Sequence, residues 1–164
     1  MGKLEFEGIV INGIGKHSEL FVPGRLLLPQ APTDWPETLH PGSLNVRVVS
    51  YPAVWRERGL AASVKVLDTG VFPPAFLILR EQFGNNQLLP TPSKPSRGIG
   101  QVWRAALFAN DHRMDCWVLR RIDSGLRDVV ELIADCAIRN RMNLEATRDW
   151  PATIAVYGAW RGAG

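Results

Sequence analysis

His40-Pro41-Gly42-Ser43-Leu44-Asn45-Val46-Arg47-Val48 reads as a Pro-Gly turn that feeds a β-strand. Side chains alternate along a strand, so Leu44, Val46 and Val48 share one face while Ser43, Asn45 and Arg47 share the other. The apolar face goes to a core. The polar face brings together a hydroxyl and an amide at a spacing that suits Mg²⁺, a hard cation that keeps several waters and takes few protein oxygens beside those of phosphates. An edge strand with a solvated polar side is the competing reading of the same alternation.

Working outward, short apolar runs of the same kind recur at 20–22, 26–28, 63–67, 75–79, 101–108, 115–120 and 153–157, rich in β-branched and aromatic residues and punctuated by Gly and Pro. A short helix is expected at 53–58. A long one is expected over 124–142, where Leu126, Val129, Val130, Ile133, Ala134, Ala137 and Ile138 recur at helical spacing behind a Ser124 N-cap. Its opposite face would carry Asp128, Glu131 and Asp135, with Arg139 a turn further on: a solvated ridge, or the seat of a base. The fold class expected is therefore mainly β, a small barrel with one packed major α-helix, not alternating βα units. The chain from 1 to 164 reads as one domain with a Pro-rich loop insertion near 88–100, since proline has no N–H to give a sheet.

A second polar signal follows the first strand. Glu7-Gly8-Ile9-Val10-Ile11-Asn12 runs into Gly13-Ile14-Gly15-Lys16-His17-Ser18, a glycine turn whose backbone N–H groups can approach a phosphate, with Lys16 adding charge. It is neither a Walker A loop, because Ile14 stands where the lysine belongs, nor a dinucleotide fingerprint, because no third glycine follows Gly15 at the required spacing. A hairpin turn is the plainer reading.

Taken together and in order, Gly13-Ile14-Gly15, Pro41-Gly42-Ser43-Leu44-Asn45-Val46-Arg47, and Val130-Glu131-Leu132-Ile133-Ala134 with Arg139 and Leu144 resemble the CTP-dependent riboflavin kinases best known from archaea, whose pattern reads GxGxG, PGTLNxxL and EIIAxxxLRxxxxL. The likeness covers most of the chain except about 50–100. It implies a cradle-loop β-barrel that transfers the γ-phosphoryl of CTP to the primary hydroxyl of riboflavin, giving FMN. It implies that Gly13, Ile14, Gly15, Lys16 and His17, with Ala137, Ile138, Arg139 and Asn140, contact the nucleotide. Ser43 and Asn45 fall on its Mg²⁺-binding Thr and Asn, Ser43 keeping the hydroxyl. Glu131 falls on its helix glutamate, a catalytic candidate that holds or deprotonates the substrate hydroxyl, and Arg121, Ser124 and Glu131 fall on the flavin side. The sequence departs from the pattern at His17, which replaces the last loop glycine, and at 146–151, where an Asp-Gly-Asp turn is expected. A threonine before the helix is also absent, Asp123 and Ser124 being the nearest polar groups. A barrel acting on another alcohol, or a non-catalytic nucleotide- or flavin-binding module, is the alternative these departures favour.

Composition bounds the partners. A net charge of +3 in 164 residues favours phosphate ligands but falls short of a nucleic-acid-binding tail. No zinc spacing and no aromatic-basic repeat stands out, so the expected partners are a small-molecule alcohol and a nucleotide, with neither nucleic acid nor membrane, in a monomer or simple homo-oligomer. Cys116 and Cys136 read as buried thiols of a reducing compartment, and with no secretory or membrane-spanning run in sight, cytoplasmic residence is the expectation. Six tryptophans are many for this length. Core packing accounts for most, although a planar flavin would stack on one.

Overall fold

The computed structural model describes residues 2–11, 28–83, 96–146 and 148–162. Six strands, β1 (Gly2–Ile11), β2 (Leu44–Ser50), β4 (Gly100–Ala109), β5 (His112–Arg121), β6 (Val129–Ile133) and β7 (Trp150–Gly158), close into an antiparallel barrel in the order β4-β5-β6-β2-β1-β7, with β7 pairing back onto β4. The short β3 (Phe76–Ile78) pairs with the start of β4. The mainly β barrel read from the sequence is thus the observed architecture.

Alternation explains the closure. Leu4, Phe6 and Val10 of β1, Leu44, Val46 and Val48 of β2, Trp103, Ala105 and Leu107 of β4, Val130 and Leu132 of β6, and Ile154 and Val156 of β7 all fall in one buried cluster, the barrel interior. The alternate positions of three strands do not face water. Val102, Trp117, Leu119 and Ile133 form a second cluster with Phe76, Ile78 and Phe83, covered by the segment that contributes Leu28, Trp35 and Leu39. Strands β4, β5 and β6 are therefore buried on both faces.

That double burial corrects the helix expected over 124–142. Residues 129–133 form strand β6, every position of it buried, and only Ile138–Arg141 are helical (α2). A strand with apolar residues on both faces places hydrophobics at i, i+3 and i+4 by default, which counterfeits helical spacing. Its β-branched Val129, Val130 and Ile133 suit the pleat. Ser124 is no N-cap; its hydroxyl accepts from the Leu126 N–H at 3.2 Å inside a turn. The expected ridge of Asp128, Glu131 and Asp135 does not exist: Asp128 precedes β6, Glu131 lies within it and Asp135 follows it. Residues 64–69 also differ, forming a 3₁₀ turn where a strand was expected, started by the Ser63 side chain and ended by Gly70 at φ 78°.

The expected short helix is present as α1 (Ala53–Glu57), and with the 3₁₀ turn it seals one end of the barrel through Trp55, Val64 and Leu67. At the other end Ile138, Met142 and Leu144 of the α2 region enter the same core. Five of the six tryptophans are buried. Both cysteines are free; Cys116 is buried as expected, and burial pushes its thiol up to about 12, which leaves it inert at neutral pH, whereas Cys136, expected to be buried, is only half-buried because it lies in the connection between β6 and α2. No helix among the described residues is long and apolar enough to cross a membrane. The expected strands at 20–22 and 26–27 and the loop residues 88–95 lie outside the described residues.

Candidate functional site

Gly42, at φ 118°, makes the turn that an L side chain would resist, and the chain then enters β2. Asn45 is the register partner of both Ile11 on β1 and Glu131 on β6. Direct antiparallel partners stand about 5 Å apart at Cβ on the same face. Asn45 lies between interior Leu44 and Val46, and Glu131 between interior Val130 and Leu132, so both project outward, yet Asn45 is only 2% exposed and Glu131 only 9%. The Ser43 hydroxyl lies 3.4 Å from Asn45 Oδ1. Ser43 and Asn45, expected as a pair, and Glu131 therefore form one polar row on the outside of the barrel, with Asn45 and Glu131 buried and Ser43 half-buried.

The row continues onto β5. Leu119 pairs with Glu131, and Arg121 occupies the next outward position. Arg121 donates from Nε to the Gly98 carbonyl at 3.0 Å and lies over the Phe83 ring, 4.2 Å from its centroid, while its buried Nη2 has no hydrogen-bond partner among the described residues. Burial, and then the nearby Arg80, pull its guanidinium below the usual arginine range, against the pull of Glu131. Burial pushes the Glu131 carboxyl up to about 7, although Arg120 and Arg121 both act to hold it ionised. A carboxyl that titrates near neutrality beside a cation is what proton transfer requires.

The second predicted nucleotide run sits at the same end of the barrel as Asn45. Ala137 is the N-cap of α2 and Asn140 lies within it, whereas the Ile138 side chain is buried in the core, so Ile138 offers a ligand its backbone alone. Arg139 reaches across to β1, donating from Nη2 to the Ile11 carbonyl at 3.2 Å. Gly13, Ile14, Gly15, Lys16 and His17 lie outside the described residues, but the strand that leads to them ends beside Asn45 and Arg139. Ser124 belongs to the β5–β6 turn, at the barrel end opposite α2.

Two neutral side-chain oxygens at this separation form a donor set compatible with Mg²⁺ that keeps waters and phosphate oxygens. It is a different donor set from a carboxylate or histidine cage: among the described residues, no group of three or more His, Cys, Asp or Glu could hold a metal. Two pockets lie elsewhere. One, of about 410 Å³, is lined by Asp34, Arg104, Trp117 and Tyr157; the other, of about 810 Å³, lies around Tyr51, Lys65 and Arg127. In the first, Asp34 and Arg104 are paired bidentately at 2.7 and 2.8 Å.

Sequence reading missed Asp68 and Gln101. On the inner side of the same sheet, Asp68 accepts from Arg120 Nε and Nη2 at 2.9 and 2.8 Å, from Gln101 Nε2 at 2.9 Å and from the Asp123 backbone N–H at 3.2 Å. The available signal was Arg120 itself. It occupies an inward position in the otherwise apolar run Cys116-Trp117-Val118-Leu119, and a buried arginine demands an acid. No protein-family model matches the chain, and a search of curated proteins finds no similar sequence.

Proposed function

We propose that the chain is a phosphotransferase that moves the γ-phosphoryl of a nucleoside triphosphate, CTP by the sequence resemblance, to the primary hydroxyl of riboflavin, giving FMN and the nucleoside diphosphate. One observation carries the reading: Asn45 and Glu131, distant in sequence, are buried register partners, and the half-buried Ser43 hydroxyl lies beside Asn45. A plain edge strand would leave such groups solvated.

Phosphoryl transfer asks a protein chiefly for positioning and charge neutralisation. Ser43 and Asn45 would hold Mg²⁺, which neutralises the triphosphate when bound. Arg139 stands at the same end of the barrel to meet phosphate charge, beside the strand that leads into the glycine turn. Glu131, with its carboxyl near 7, accepts the proton of the attacking hydroxyl at neutral pH and stays within reach of it because β2 and β5 fix its strand on both sides. Arg121 over Phe83 offers an apolar, cationic wall to a planar acceptor.

The test is incubation of the protein with Mg²⁺, riboflavin and either CTP or ATP, followed by chromatography of flavins and nucleotides. FMN with CDP supports the reading in full. Nucleotide-dependent stabilisation of the fold without FMN transfers the proposal to another alcohol. Neither response removes it and leaves a barrel with a different ligand.

A further inference from the structure

We propose that Asp68 and Arg120, buried on the inner face of the barrel, are positioning residues for the outer-face site: they fix the strand end that carries Arg121 and the turn that leads to Glu131. The inference rests on the reading of Arg121 and Glu131 as parts of one working site. Its geometry is independent of which substrate that site takes.

Side chains alternate, so whatever anchors residue 120 inward holds residue 121 outward. The anchor is unusually complete. Arg120 spends Nε and Nη2 on the two Asp68 oxygens and Nη1 on the Leu126 carbonyl at 2.8 Å. Asp68 in turn receives Gln101, whose Cα is the register partner of Arg120, and the Asp123 N–H. The pair thus grips the 122–128 connection at two points, Asp123 and Leu126. Asp123 sits at φ 61°, a left-handed conformation that needs such support. At the far side of this connection β6 begins at Val129, two residues before Glu131.

The experiment uses the whole chain, ¹⁵N-labelled at arginine, with the variants Asp68→Asn and Arg120→Gln, and no nucleotide or flavin. Each variant breaks the inner anchor, so the Arg121 Nε–H signal, which reports its bond to the Gly98 carbonyl, shifts in both while that of Arg104 stays. A merely structural pair would lower the melting temperature in both variants but would leave the Arg121 signal unmoved, or move it together with that of Arg104; either result overturns the proposal. Should Arg120→Gln not fold, Asp68→Asn alone decides by the same signal. Because no substrate is present, failure here is separate from failure to make FMN.

Discussion

Arg120 and Arg121 are adjacent in sequence and face opposite sides of one sheet. Arg120 is 5% exposed and meets a carboxylate, Asp68, that is 11% exposed; each is satisfied several times over. Among the described residues Arg121 has one carbonyl, one aromatic ring and a buried Nη2 without a hydrogen-bond partner, and it borders a carboxyl held near 7. A saturated ion pair is what a fold builds to hold itself. An arginine with donor capacity to spare, next to an acid that titrates at neutrality, is what a site keeps for a ligand. On the proposed function, the difference separates framework from site within two residues.

The comparison breaks first at Asp68. Asp68→Ala strips a buried charge of its partner and should destabilise the fold by about 3–5 kcal/mol, read by urea denaturation. A cost no larger than that of a surface substitution would mean that the inner pair is not framework. Glu131→Gln should do the reverse. Between the ordinary 4.5 and the folded value near 7, the folded chain holds a proton the unfolded chain has released, so wild-type stability declines as pH rises through that window. The deficit reaches about 3 kcal/mol above pH 7 and vanishes below pH 4.5. Denaturation midpoints of the two proteins should therefore meet at pH 4 and part at pH 8, with Glu131→Gln the more stable; a flat difference would return Glu131 to a structural role.

Smaller effects sharpen the same contrast. Asn45→Ala removes an outward amide whose only described side-chain partner is the weak 3.4 Å contact with Ser43, and should cost about 1 kcal/mol by thermal melting. A loss of several kcal/mol would place Asn45 with the framework. Asp34→Asn breaks an ion pair whose members are 52% and 41% exposed, and should change stability by less than about 1 kcal/mol. A larger change would show that the segment carrying Trp35, which packs on Trp117, depends on this pair more than its exposure suggests.

The barrel was legible in the sequence because alternation, turn residues and short β-branched runs all point the same way at β2, β4, β5 and β7. The failure at 124–142 has a physical cause. Residues 129–133 pack against the interior on one side and against Trp117 and Leu119 on the other, and such a strand has no alternation to read. The candidate site was legible residue by residue at Ser43, Asn45 and Glu131, but its assembly was not, since strand register joins Asn45 to Glu131 and no local pattern encodes that pairing. Asp68 was hidden for a like reason: a single acid inside a 3₁₀ turn announces itself only once Arg120 is seen to point inward.

The central claim is that the outer polar row is a metal–nucleotide site. Titration calorimetry of CTP with Mg²⁺ into the wild type and Asn45→Ala, repeated with the metal chelated, tests it most directly. The account predicts binding by the wild type that needs Mg²⁺ and is lost in Asn45→Ala while the melting temperature barely moves; equal binding by both proteins, or none by either, would contradict it.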